Sequence, residues 1–222
     1  MNICKSILDA GVLEIRDLDA GQEPFLYSSG NWGPGYVMIK GLVSKRSLLV
    51  SLCKELSNKI MKLTSPDLVA GNVTGGMIPG WLISTYLFIP FVYVRDTRKK
   101  GGHREQVTGL SKELTGSCLI VEELVNFAQT TINSAEVLRN LGFEVPYAAT
   151  ILSYENPRAI KSLEIFNLNL ISLITLPELL NEAEISGKFS KKAIRDYRMF
   201  LLNPIDWQRD KGLEPVPNGG TK

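Results

Sequence analysis

The sequence predicts an α/β protein with a mostly parallel central sheet and helices on both faces, plus a small N-terminal lobe. Three observations carry this. Short apolar strands alternate with helical patterns from residue 44 onward, as in parallel sheets joined by crossover helices. Residues 21–41 are instead punctuated by glycine and proline among aromatics, the mark of short strands and turns. Polar loops immediately follow three of the strands, where open α/β sheets hold their ligands.

Residues 3–18 have apolar side chains at helical spacing as far as Gly11, then a short strand. Residues 44–63 read as an amphipathic helix, with Ser44 as N-cap and Leu48, Leu49, Leu52, Leu56 and Ile60 on one face. Next come a strand at 67–70, a glycine-bearing turn at 71–76, a helix at 77–87 and a strand at 91–94. A polar loop at 96–109 leads to a strand at 117–121 that ends in Glu122 and Glu123. A helix at 131–141, closed by Gly142, precedes strands at 145–152 and 165–174. Two helices meet around Gly187 between 177 and 202, and residues 214–222 form a polar tail. The division is 1–43 for the N-terminal lobe, 44–202 for the core and 203–222 for the tail.

Composition narrows the function. The chain has 222 residues, 25 basic and 23 acidic, with a net charge of +2. That balance gives no electrostatic case for nucleic acid as the main partner. Cys4, Cys53 and Cys118 form no CxxC pair and read as free thiols in a reducing compartment. The single histidine, His103, excludes a His-based zinc site. The most apolar stretch, 81–94, is broken by Pro90 and is too short to span a bilayer. No secretory leader is evident at the N-terminus. The expected location is cytoplasmic, with no membrane partner.

Four segments have the residue types for phosphate and sugar chemistry. The first joins Glu122 and Glu123 to a short loop, Asn126-Phe127-Ala128-Gln129-Thr130, and then Thr131 at a helix start. Carboxylates at a strand end can accept hydrogen bonds from adjacent sugar hydroxyls, and a helix N-terminus suits a phosphate. The same residues also read as a solvated acidic pair before an ordinary helix; on spacing alone that plainer reading has the edge. The second is the basic loop containing Arg95, Lys99, Lys100 and His103 with Gly101 and Gly102. A movable cationic loop suits a multiply charged anion, while charge runs are commonly just solvated. The third is the turn containing Thr74, Gly75 and Gly76, where small residues let amides approach an anion. The fourth is 27–37, with Ser29, Gly30, Pro34 and Tyr36, which reads equally as a hairpin with core aromatics.

In this order the segments resemble the type I phosphoribosyltransferase family, and within it the orotate phosphoribosyltransferases. The resemblance runs from about residue 3 to about residue 213. It implies a hood formed by the N-terminal lobe, Mg²⁺ as cofactor, and phosphoribosyl pyrophosphate and orotate as substrates. It also implies a homodimer in which loop 96–109 reaches the neighbouring site. Lys99, His103, Glu122 and Glu123 take the catalytic places. Arg95, Lys100, Thr74, Gly75, Asn126, Ala128, Gln129, Thr130, Thr131, Ser29 and Tyr36 take the binding places, with no protein-held metal site. The chain departs from the pattern at 126–129, where the family has threonines and glycines. His103 lies two residues beyond the family histidine, and Ser28 stands in place of a lysine. These departures leave open a non-catalytic nucleotide- or phosphoribosyl-binding regulator, or a transferase for another base.

Overall fold

The structure is a computed structural model and describes residues 2–97 and 106–216. In chain order its elements are α1 (Ile3–Asp9), β1 (Leu13–Ile15), β2 (Phe25–Leu26), β3 (Trp32–Gly33), β4 (Gly35–Val37), α2 (Arg46–Met61) and β5 (Leu68–Asn72). They continue as α3 (Met77–Leu87), β6 (Phe91–Val94), β7 (Val107–Thr108), β8 (Ser117–Val125), α4 (Gln129–Asn140) and β9 (Glu144–Ser153). The last are α5 (Pro157–Ile165), β10 (Asn169–Thr175), α6 (Leu176–Ser186), α7 (Lys191–Leu202) and α8 (Pro204–Asp210). Contacts divide the chain into two units, Ile39–Pro177 and a second that joins residues 1–38 to 178–222.

The larger unit holds a six-stranded sheet in the order β10-β9-β8-β5-β6-β7. All its pairings are parallel except β6 with β7. Counting only the parallel strands along the chain, the order is 2-1-3-4-5. The order therefore reverses between β5 and β8, and the crevice beyond their carboxyl ends is the expected ligand site. Alternation along the strands sends Leu68, Ala70, Cys118, Ile120 and Ala148 into one core with Ala135 and Leu138 of α4 and Ala159 and Leu163 of α5. Helices α2 and α3 cover the other face, burying Leu49, Leu52, Cys53, Leu56 and Ile83. Burial pushes the thiols of Cys53 and Cys118 up to about 12, which makes them inert core groups.

In the other unit β1 pairs with β4 and β2 with β3, both antiparallel. Tyr27, Tyr36, Phe200, Tyr197 and Trp207 form a chain of ring contacts there. Gln208 ties its last helix to β3 by accepting from the Trp32 amide at 2.9 Å.

Three expectations are corrected. Ser44 ends a 3-10 turn, Ile39–Ser44, and its hydroxyl donates to Gly41 O at 3.0 Å, so it does not cap α2; that helix starts at Arg46. Strand β8 does not end at Val121 but continues through Val125, because β9 keeps pairing with it. Helix α5 occupies 157–165, where Asn156 caps it and Pro157 sets its first turn; the strand expected at 165–174 therefore begins only at Asn169.

Candidate functional site

The crevice at the reversal of strand order is built from the end of β5, the turn after it, the end of β8 and the start of α4. Turn 71–76 is tied down by its own backbone: Val73 N donates to Val94 O at 2.8 Å and Gly76 N to Asn72 O at 2.9 Å. The Val73–Thr74 peptide bond is cis. Thr74 is exposed at the tip. Gly75 lies directly beneath the Glu123 carboxyl group, so any side chain at 75 would collide with it.

Because β8 runs on through the two glutamates, they point to opposite sides of the strand. Glu122 is buried, 6% exposed. Its Oε1 accepts from Asn72 Nδ2 at 2.5 Å, Thr130 Oγ1 at 3.0 Å and Thr131 Oγ1 at 3.4 Å. Burial raises its carboxyl to about 7, against the two hydrogen-bond donors Asn72 and Thr130, and the charges of Glu123 and Asp96 raise it further. Glu123 faces the other way, over Gly75, with Lys40 Nζ 3.4 Å from its Oε1.

The segment after β8 keeps a glycine-type backbone without its glycines. Ala128 has φ 60° and ψ 9°, in the left-handed region, and serves as the N-cap of α4. No side chain caps this helix. The first bond of its ladder runs from Ile132 N to Ala128 O, so the amides of 129–131 have no partner within the helix. Free amides at the positive end of a helix dipole are suited to an anion. Asn126 accepts from Asn156 Nδ2 at 3.2 Å, fixing the loop to the cap of α5. Gln129 Nε2 donates to Asn133 at 2.8 Å, and Phe127 is exposed.

Arg95 sits at the base of the basic loop. Its guanidinium donates to Thr108 Oγ1 at 2.7 Å and to the Tyr93 hydroxyl at 3.3 Å, and lies over the Tyr93 ring. Lys99, Lys100 and His103 fall outside the described residues. Ser29 and Tyr36 belong to the other unit. There Ser29 Oγ accepts from Asn31 N at 3.3 Å, and Tyr36 is exposed beside the rings of Phe25 and Tyr27.

The structure thus gathers Thr74, Gly75, Glu122, Glu123, Ala128, Thr130 and Thr131 around one crevice. It adds Asn72, Lys40 and Asn156, which sequence reasoning missed. Asn72 had a visible signal, as the one amide closing an apolar strand. Lys40 and Asn156 had none.

No family model matches the chain. Solved structures do. The orotate phosphoribosyltransferase of Aeropyrum pernix superposes with a TM-score of 0.69 at 22% identity, covering 82% of this chain and 98% of that one. Leishmania donovani UMP synthase gives a TM-score of 0.74 at 21% identity over 90% of this chain, which spans 41% of that longer chain. The fold is that of the type I phosphoribosyltransferases. By sequence the chain is similar to orotate phosphoribosyltransferases. It is 28% identical over 207 residues to the orotate phosphoribosyltransferase of Jannaschia sp. strain CCS1, spanning 91% of this chain and 90% of that one.

Proposed function

We propose that this protein transfers ribose 5-phosphate from phosphoribosyl pyrophosphate to orotate, giving orotidine 5′-monophosphate and pyrophosphate for pyrimidine synthesis. The observation that carries this is the crevice between β5 and β8, where a small-residue turn, an outward carboxylate and an uncapped helix start converge in a relative of the orotate enzymes.

The reaction loosens the bond from the anomeric carbon to pyrophosphate and leaves positive charge on the sugar. A catalyst must neutralise the leaving group and stabilise that charge. In this reading the amides of 128–131 hold the 5′-phosphate. The Thr130 and Thr131 hydroxyls already donate to Glu122, so the amides supply the donors. Glu123 meets the ribose hydroxyls and the developing charge. Turn 71–76 takes pyrophosphate from one side, and Arg95, Lys99, Lys100 and His103 take it from the other. Closure of 96–109 over the donor excludes water and limits hydrolysis.

Mg²⁺ fits this site as a hydrated ion held chiefly by substrate oxygens. Among the described residues no cluster of three His, Cys, Asp or Glu side chains could cage a metal, and Glu123 is the carboxylate open to it. When bound it offsets pyrophosphate charge. The reading includes a cytoplasmic homodimer with 96–109 reaching the neighbouring site. Among the described residues no helix is long and apolar enough to cross a membrane.

A spectrophotometric assay with orotate, phosphoribosyl pyrophosphate and Mg²⁺ tests the proposal. Steady consumption of orotate supports it. Donor consumption only with another base replaces orotate as the acceptor. Tight binding of the donor with no turnover makes the protein a regulator, the reading favoured by the bulky Phe127 and Gln129 in the phosphate loop.

A further inference from the structure

We propose that Lys40 is a specificity residue for the acceptor: its ammonium group pairs with the carboxylate of an acidic base. The inference rests on the ribosyl-transfer reading and deepens it, by naming the side chain that recognises the acid on the acceptor.

Three observations carry it. The first is position. Lys40 Nζ lies 3.4 Å from Glu123 Oε1, at the end of β8. In the transfer reading the carboxylates there hold the ribose hydroxyls, and one of those hydroxyls is on the carbon next to the anomeric one. The acceptor nitrogen must approach the anomeric carbon to about 3–3.5 Å. The acceptor ring therefore comes within reach of the lysine.

The second is charge. Orotate carries a carboxylate into a crevice already crowded with acids, where the charges of Glu123 and Asp96 raise the Glu122 carboxyl. A further anion is repelled there unless a cation meets it. Arg95 is engaged by Thr108 and the Tyr93 ring, and the transfer reading assigns it to pyrophosphate. Among the described residues Lys40 meets only Glu123.

The third is the mount. Lys40 sits in the 3-10 turn Ile39–Ser44, which buries Ile39 and Leu42 and is closed by the bond from Lys45 N to Leu42 O at 2.9 Å. The backbone is fixed, while the Lys40 side chain is 63% exposed. Such a lysine is a point charge on a flexible stem, and an ion pair this exposed is displaced at little cost. When ribose hydroxyls occupy Glu123, the ammonium group is released to the carboxylate beside it.

The test compares Lys40→Ala and Lys40→Arg with the unaltered protein, reading kcat, KM for each substrate and a thermal melt. Lys40→Ala should raise KM for orotate about 10- to 100-fold, the equivalent of one hydrogen bond between charged groups. KM for phosphoribosyl pyrophosphate should change only a few-fold, with the melt unchanged. Lys40→Arg keeps the charge and should recover most of the loss. A second readout isolates the carboxylate: the inhibition constant of the carboxamide of orotate, a neutral ring of similar shape, should change by less than about threefold in Lys40→Ala. An unchanged KM for orotate would overturn the proposal. So would an equal loss for the acid and the amide, or a KM for the donor that rises as far as that for orotate, since Lys40 would then serve only to hold Glu123. If the unaltered protein turns over no orotate, the functional reading falls separately. Calorimetry with orotate in the presence of ribose 5-phosphate then decides. Binding about tenfold weaker in Lys40→Ala supports the proposal; equal affinity, or no orotate binding to the unaltered protein, refutes it.

Discussion

The turn at 71–76 has glycines and the loop at 126–131 has none. A glycine answers a different need in each. At Gly75 the need is for space, since the Glu123 carboxyl group occupies the volume a side chain would fill. At Ala128 the need is for a backbone shape, φ 60°, that any L-residue can adopt at a cost. That cost is roughly 1–2 kcal/mol. The Ala128 methyl is 5% exposed and packs in the core below α4, which returns about 0.8 kcal/mol. A sequence can therefore lose the glycine of a positive-φ position and keep the fold of the loop. It cannot lose the glycine that seats the Glu123 carboxylate and keep that carboxylate in place.

The first way to break this comparison is Gly75→Ala. The new methyl meets the far end of a side chain, so the fold survives, but Glu123 must move. Steady-state turnover should fall by about two to three orders of magnitude, with a melting temperature near that of the unaltered protein. Near-normal turnover would show that Glu123 need not sit where it does.

The second prediction concerns Glu122, the group between the two loops. Its carboxyl is raised to about 7 in the folded protein from an ordinary 4.5. A raised folded-state value means that its contribution to stability is fully present below about 4.5 and is lost as pH climbs through about 7. The difference is on the order of 3 kcal/mol. Denaturation of Glu122→Gln measured between pH 4 and pH 8 should lack this decline, so the gap between the two proteins should widen with pH. A constant gap would contradict the burial argument.

A smaller effect is expected at Lys40. Its pair with Glu123 is exposed on the lysine side, so Lys40→Ala should change stability by less than about 1 kcal/mol. KM for phosphoribosyl pyrophosphate should change only a few-fold. The smallest effect belongs to Ala128→Gly, where relief of the backbone and loss of the buried methyl oppose each other. Chemical denaturation should place it within about 1 kcal/mol of the parent. A loss well beyond that would mean the loop had been rebuilt around the methyl.

Much of this was legible in the sequence, and the rest was hidden for physical reasons. The strand at Phe91–Val94 and the helix at Met77–Leu87 lie where periodicity puts them. Helix α5 does not announce itself, because two of its apolar residues, Ile160 and Ile165, lie exposed and only Ala159 and Leu163 are buried, and its start is marked only by Asn156 and Pro157. The adjacency of Glu122 and Glu123 was plain, but not their opposite orientations. Those follow from β8 continuing to Val125, which depends on pairing with β9. Had the strand been carried through the acids, alternation alone would have separated an inward from an outward carboxylate. Contacts such as Asn72 to Glu122 and Asn126 to Asn156 join residues 50 and 30 positions apart, and local pattern contains no trace of them.

The central claim is that one crevice grips a sugar phosphate by its two ends, and a crystal structure with ribose 5-phosphate tests it most directly. The account predicts phosphate oxygens against the amides of 128–131 and ribose hydroxyls on the carboxylates that end β8. Phosphate bound away from the start of α4, or a ribose that meets neither Glu122 nor Glu123, would contradict it.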